Sequence, residues 1–199
     1  ILITDPHLQG GGQVRYVSTL AAGLVQKGHR VTIGCRPGSV LVEHAKTAGA
    51  EVLNKFSFKG GLRPESWRND ISRAVRFIKQ EQPDIIHVSG SQDHWTFAVA
   101  DYLMKHKIPL IRTRHNTYVV KNNLPNRLLN RQLTDFQIVV CDTVRRELAA
   151  HPAFDAERLC SIHNGVDTAL FAPNPELRRK ARAEFNCADT DIVCGIAAR

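Results

Sequence analysis

The sequence predicts an α/β fold in which a mostly parallel β-sheet is covered by helices on both faces. Two observations predict it. Short runs rich in β-branched residues alternate with longer amphipathic stretches along nearly the whole 199-residue chain, the pattern of repeated βαβ units. The segments that directly follow those short runs are unusually polar, as expected where a ligand sits outside the carboxyl ends of the strands of an open sheet. Together they specify a three-layer, Rossmann-like domain.

Strands are expected at residues 1–4, 31–34, 51–53, 85–88, 110–112, 138–141 and 159–162. Between the first two, Val14, Val17, Ala21, Leu24 and Val25 fall on one helical face, and Gly28 supplies a C-terminal stop. Trp67, Ile71, Ala74, Val75 and Ile78 repeat the same core-facing rhythm, and Pro83 ends that helix before the strand at Ile85. The polar segments after the strands are residues 5–13, 36–39, 89–94, 112–118, 142–143 and 163–167. Beyond Asp167 the pattern changes. A connector, Ala172-Pro173-Asn174-Pro175, leads to a highly charged helix over residues 176–184, then to an isolated apolar strand over 192–196. The expected organisation is a domain over 1–171, a linker and connecting helix over 172–191, and at 192–199 the first strand of a second, truncated domain. The first strand begins at Ile1 with no initiating Met, so a few N-terminal residues are also expected to be missing.

With 43% apolar and 23% charged residues the chain is too apolar for disorder. No apolar run approaches the roughly 20 residues needed to span a bilayer, and the first residues lack the basic flank and cleavage site of a signal peptide. Cys35, Cys141, Cys160, Cys187 and Cys194 are odd in number, scattered, and never spaced Cys-x-x-Cys. Neither a disulfide framework nor a zinc site is indicated, which points to a reducing cytoplasm. The formal charge of +8 favours anionic partners. It does not choose among nucleic acid, lipid and phosphorylated substrate, but no nucleic-acid-binding signature is present, so nucleic acid is not expected.

Four segments could carry chemistry. Gly10-Gly11-Gly12 lies between the first strand and the first helix, where glycines let the backbone approach a phosphate or carboxylate; a plain tight turn is the alternative. A dinucleotide fingerprint would need glycine where Arg15 stands and an acid where Arg36 stands, which disfavours NAD, although Arg36 leaves NADP formally open. Arg112-Thr113-Arg114-His115-Asn116 follows the fifth strand. It offers an imidazole for a sugar hydroxyl and guanidinium groups for phosphate oxygens, unless the histidine is structural. Residues 121–133 pair Leu124, Leu128, Leu129 and Leu133 with Lys121, Arg127 and Arg131, while Phe56, Phe58, Lys59, Leu62 and Arg63 cluster near a Gly-Gly turn. Either stretch could rest on an anionic membrane; a core-facing leucine stripe with a solvated basic back explains the first better, and a mobile acceptor-side loop explains the second at least as well. His29, His44 and the other remaining histidines do not gather at metal-ligand spacing, and no Gly-x-Ser-x-Gly elbow or Walker lysine occurs.

Taken in order, Gly-Gly-Gly, Leu-Val-Gln-Lys-Gly-His-Arg-Val-Thr-Ile, Pro-Asp-Ile-Ile-His-Val, Arg-Thr-Arg-His-Asn, Val-Arg-Arg-Glu-Leu and Asn-Gly-Val-Asp, with Phe171 and Pro173 behind it, resemble the N-terminal domain of family 4 glycosyltransferases. The resemblance runs through essentially the whole chain. It implies one half of a GT-B architecture, with Gly11, Gly12 and Gln13 beside the interdomain cleft and His115 as the cleft histidine that contacts the transferred sugar. Ser89, Arg114, Asn116 and Asn164 are the further candidates for substrate binding. The final Val-Cys-Gly-Ile-Ala-Ala-Arg is similar to the start of the family's donor-binding domain, which makes Arg199 a donor-phosphate ligand.

What the resemblance implies is retaining transfer from a UDP- or GDP-sugar, itself a substrate, to a glycan or lipid-linked acceptor, with no resident cofactor or metal. The setting would be cell-surface polysaccharide or lipopolysaccharide synthesis at the inner face of the membrane. No pair of carboxylates suited to double displacement is visible, so a front-face route assisted by the leaving phosphate is the more economical expectation. This chain alone should be inactive. Two departures stand out: His87-Val88-Ser89 replaces the usual His-x-His, which bears on acceptor identity, and His163 replaces the proline before Asn164-Gly165. The rival readings are a GT-B-fold epimerase or phosphorylase, and a non-catalytic domain that binds phosphorylated glycan or anionic lipid.

Overall fold

The structure, a computed structural model, describes residues 1–59, 63–105, 108–115 and 119–196. All seven expected strands form: β1 (Leu2–Thr4), β2 (Thr32–Gly34), β3 (Glu51–Leu53), β4 (Ile86–Val88), β5 (Leu110–Arg114), β6 (Phe136–Val139) and β7 (Leu159–Ser161). They make one sheet in the order β3-β2-β1-β4-β5-β6-β7, and every pairing is parallel. The order reverses between β1 and β4, so the connections that leave these two strands diverge and open a crevice at their carboxyl ends.

Side chains alternate across the sheet, and the alternation builds two cores. Leu2, Ile86, Val88 and Leu110 turn to one face and pack with Ala74 and Ile78 of α3 (Pro64–Glu81) and Phe97 of α4 (Ser91–Met104). Ile3 and Ile33 turn to the other, against Val14, Val17 and Ala21 of α1 (Gly12–Gln26) and Leu41 and Ala45 of α2 (Leu41–Ala48). A third cluster, Val139, Val144, Leu148, Phe154 and Leu159, seats α6 (Asp142–Ala149). The expected stripe on α1 faces the core. On α3 the stripe holds except at Trp67, which is 42% exposed because it lies in the first turn of the helix.

Phe56 and Phe58 are not a surface feature. Both are buried in the core and stacked, with ring centroids 4.7 Å apart, so they make no lipid contact. The stretch over residues 121–133 divides differently from either expectation: α5 (Leu124–Arg127) runs into a π-helical turn at Leu128–Gln132, Leu129 is buried, and Leu124 and Leu128 are exposed.

The chain divides into two compact units, Ile1–Asn164 and Gly165–Arg199. The second is organised around α7 (Pro175–Glu184), whose first turn is capped by the Asn174 side chain accepting from the amides of Glu176 and Leu177. Its buried Arg182 donates to the Asp191 carbonyl at 3.0 Å. Residues 192–196 do not form the expected strand; a strand needs a ladder partner, and Ile192 and Ile196 stand exposed without one among the described residues.

Candidate functional site

The polar groups of the first unit gather at the carboxyl ends of β1, β4 and β5, where strand alternation sorts them. Along β5, Thr113 and then His115 turn towards α1, while Arg112 and Arg114 turn away from it.

On the α1 side, Asp5 directly follows β1 and is fully buried. Its carboxylate accepts from the backbone amide of His7 at 2.7 Å, from His7 Nδ1 at 2.9 Å and from Gln13 Nε2 at 2.6 Å. Gln13 is thus held by its side chain to the end of β1. Gly11 caps α1 and Gly12 opens it, without a side-chain cap and without an acidic residue in the first turn. Packing does not require glycine at positions 10 and 12: a Cβ built on Gly10 or Gly12 would meet nothing within 4 Å. The room in front of them belongs to a cavity of about 560 Å³ lined by Gly10, Gly11, Gly12, Arg15, Ser18 and His44.

His115 lies against Tyr16 of α1, the rings edge to face with centroids 4.6 Å apart. The Tyr16 hydroxyl meets Thr113 Oγ1 at 3.2 Å, and Thr113 Oγ1 meets Nε2 of buried His87 at 2.7 Å. A rigid aromatic and a hydrogen-bonded chain therefore back the His115 ring. Burial pushes its pKa down to about 4, with His7 and Arg112 adding to the fall and Asp5 opposing it. The ring is neutral at physiological pH, and its Nε2 is buried without a hydrogen-bond partner among the described residues. An uncharged imidazole with one ring nitrogen uncommitted can exchange a hydrogen bond with a ligand hydroxyl.

On the opposite side, Asp93 caps α4, accepting from the amides of Ser89 and Gly90 and from the Thr4 hydroxyl at 2.7 Å. Arg112 meets His94 Nδ1 at 2.6 Å and Ser91 Oγ at 3.3 Å. Burial pushes the Arg112 pKa down to about 9, with the Arg114 charge adding to it, and pushes Arg114 down to about 10. Arg112 is thus engaged within the fold. Arg114 is also buried, its guanidinium 5.3 Å from the centre of the Phe154 ring.

Gly11, Gly12, Gln13, Ser89 and His115 therefore come together at the ends of β1, β4 and β5, and the Ser89 hydroxyl is buried there without a partner among the described residues. Asn164 is exposed at the end of the first unit. Asn116 and Arg199 lie outside the described residues. Sequence reasoning did not single out Asp5, His7 or Tyr16, named Thr113 only as part of its segment, and noted His87 only as part of a departure from His-x-His. For the first two a signal existed: Asp-x-His immediately after a strand is the spacing at which an aspartate bonds the backbone two residues on.

A family model described as Glycosyltransferase Family 4 matches residues 10–170. Among curated proteins, D-inositol 3-phosphate glycosyltransferase of Mycolicibacterium paratuberculosis (strain ATCC BAA-968 / K-10) is 28% identical over 212 residues, which cover 92% of this chain and 46% of that protein. Among solved structures, a glycosyltransferase from Rickettsia africae ESF-5 superposes with a TM-score of 0.78 at 21% identity, covering 95% of this chain and 50% of that one. Anabaena Alr3699/HepE, solved in complex with UDP-glucose, gives a TM-score of 0.66 at 17% identity, covering 93% and 49%. The chain spans about half the length of these relatives. Its fold is the Rossmann-like half of a GT-B glycosyltransferase.

Proposed function

The chain belongs to glycosyltransferase family 4, and from that premise we propose that the whole protein moves a sugar from a UDP- or GDP-sugar to a hydroxyl of a glycan or lipid-linked acceptor, with retention at the anomeric carbon and no required metal. The observation that carries this reading is His115: a neutral imidazole whose Nε2 has no partner among the described residues, braced by Tyr16, at the carboxyl edge of β5 and close to the glycine-rich start of α1. Residues 1–171 form the acceptor side. The transferred sugar lies against His115; Gly11, Gly12, Gln13 and Ser89 bound its pocket, with Arg114, Asn116 and Asn164 as further contacts. Arg199 and residues beyond it stabilise the leaving diphosphate. The chemistry is largely electrostatic, since a dissociating diphosphate develops charge that fixed donors and helix amino ends favour.

The setting proposed is cell-surface polysaccharide or lipopolysaccharide synthesis on an anionic membrane. Exposed Leu124 and Leu128 support it, because they line one surface hollow together with Arg127 and Arg131. Vesicles containing anionic lipid should co-sediment with the protein, and Leu124→Asp should abolish this; no difference between anionic and neutral vesicles would remove the membrane from the proposal.

The test of the activity is nucleotide release from a panel of UDP- and GDP-sugars by the full-length protein, with His115→Ala and the 199-residue chain in parallel. One donor should be turned over, His115→Ala should slow turnover on the order of a hundredfold or more, and the 199-residue chain should be inactive. No release from any donor, with glycan or lipid still bound, would favour a binding domain instead.

A further inference from the structure

The family-based reading uses His115, yet a second imidazole of the same strand-end cluster has the arrangement of a base. His7 Nδ1 lies 2.9 Å from Asp5 Oδ1, and the same oxygen accepts the His7 backbone amide at 2.7 Å. A carboxylate only accepts, so this contact requires the hydrogen of a neutral His7 ring to sit on Nδ1 and leaves a lone pair on Nε2. The Asp5 side chain is fully buried while that of His7 is 54% exposed. The orienting group is therefore locked inside the fold and the oriented one faces outward. Asp5 is itself fixed by Gln13 Nε2 at 2.6 Å, and the His7 carbonyl is fixed by Ser39 Oγ at 2.8 Å. A base within hydrogen-bond reach of an orienting carboxylate, held by both backbone and side chain, is the half of a catalytic triad that manages the proton.

Resting on the glycosyltransferase reading above, we propose that His7 is a catalytic residue that takes the proton of the acceptor hydroxyl, with Asp5 as its positioning residue. In the step, the acceptor O–H bond breaks and its proton passes to His7 Nε2, giving an imidazolium paired with Asp5. The acceptor oxygen bonds to the anomeric carbon on the face from which the diphosphate departs, as the proposed retention requires, and the bond from that carbon to the diphosphate oxygen breaks, its electron pair leaving on the diphosphate. The imidazolium then returns its proton to solvent. His115, backed by Tyr16 rather than by a carboxylate, steadies the sugar, so the two histidines divide the work. A route in which the leaving phosphate alone collects the proton needs no such dyad, and that difference can be measured.

Two measurements on different samples test this. Nitrogen-15 spectra of the imidazoles in the 199-residue chain at neutral pH should place the His7 proton on Nδ1; a proton on Nε2 overturns the proposal without reference to turnover. In the full-length protein, with whichever UDP- or GDP-sugar it turns over, His7→Ala should lower kcat on the order of a hundredfold while leaving the donor KM within about threefold. Added imidazole should restore at least about tenfold of the loss, a rescue that a purely structural role would not permit. A His7→Ala kcat within twofold of the parent, or a loss that imidazole leaves untouched, overturns the proposal. Failure of the parent to turn over any donor overturns the glycosyltransferase reading instead, and this proposal with it; the spectra separate the two failures.

Discussion

A Cβ placed on Gly90 would lie 2.4 and 2.7 Å from Cγ and Cδ of Pro6 and 2.8 Å from Asp93 Oδ1. The backbone there, at φ −109° and ψ −171°, suits any residue, so the constraint is contact and not conformation. Pro6 is a rigid ring between Asp5 and His7, and Asp93 caps α4, so neither neighbour can give way without moving the site. Gly90→Ala should therefore lower stability by about 1–3 kcal/mol, the usual cost of overpacking. It should also reduce turnover through displacement of His7, although Gly90 needs no substrate contact for this. Urea unfolding of the variant reads the first effect, and a midpoint equal to the parent's would show that the β1–α1 connection is looser than the contact implies. At this scale the candidate site was only half legible. Ser89 and His115 were legible as candidates because each directly follows a strand, and Gly11, Gly12 and Gln13 because the glycine run lies where the chain leaving β1 opens the first helix. Thr113 was passed over because a Thr-Arg pair at the end of an apolar run reads as loop, whereas pairing with β6 extends β5 through Arg114. Tyr16 lies 97 residues from Thr113, and no local pattern announces that contact.

Among the elements, the connection from β3 to α3 depends most visibly on one side chain. Asp70 of α3 is 1% exposed and accepts from Ser57 N at 2.9 Å, Ser57 Oγ at 2.6 Å, Phe58 N at 2.8 Å and Arg73 Nη1 at 3.1 Å. It holds Phe58 at φ +40°, in the left-handed region that a bulky residue enters only under constraint. The gain from that strained turn is the Phe56–Phe58 stack inside the core. Asp70→Asn keeps the shape but replaces one acceptor oxygen with an NH₂ group that faces donors. The loss should be about 2–3 kcal/mol in denaturant unfolding, since hydrogen bonds to a buried charged acceptor are among the stronger ones. A change under about 0.5 kcal/mol would mean that core packing alone sets the turn. All seven strands were legible, because each is a short β-branched run bounded by polar or Gly/Pro residues. Their ends moved by one to two residues, as at β6, which starts at Phe136 and stops at Val139. The pairing of β1 with β4 was not legible element by element, since it is a property of the whole sheet.

The molecule as a whole keeps imidazoles in its interior, and this sets how its stability depends on pH. Burial lowers the pKa of His87 and of His115 from 6.5 to about 4, and that of His94 well below 6.5. Above pH 6.5 these rings are neutral whether the chain is folded or not, and they add no pH dependence. Between about 6.5 and 4 the unfolded chain takes up protons that the folded chain refuses, so stability falls as pH falls through that window. For His87, which is 7% exposed, a drop from 6.5 to about 4 corresponds to roughly 3 kcal/mol over the full range. Asp93 works in the opposite sense. Its burial raises the carboxyl pKa, so the folded chain takes that proton first and regains part of the loss towards acid pH. Unfolding free energies measured in urea from pH 7.5 to 4.5 should decline steadily below about 6.5, with proton uptake on unfolding. His87→Gln retains a polar partner for Thr113 but cannot titrate, and should flatten the slope by up to one proton. If stability instead rises on acidification through this window, or His87→Gln leaves the slope unchanged, the interior is wetter than the packing of His87 against Thr113 and Tyr16 allows.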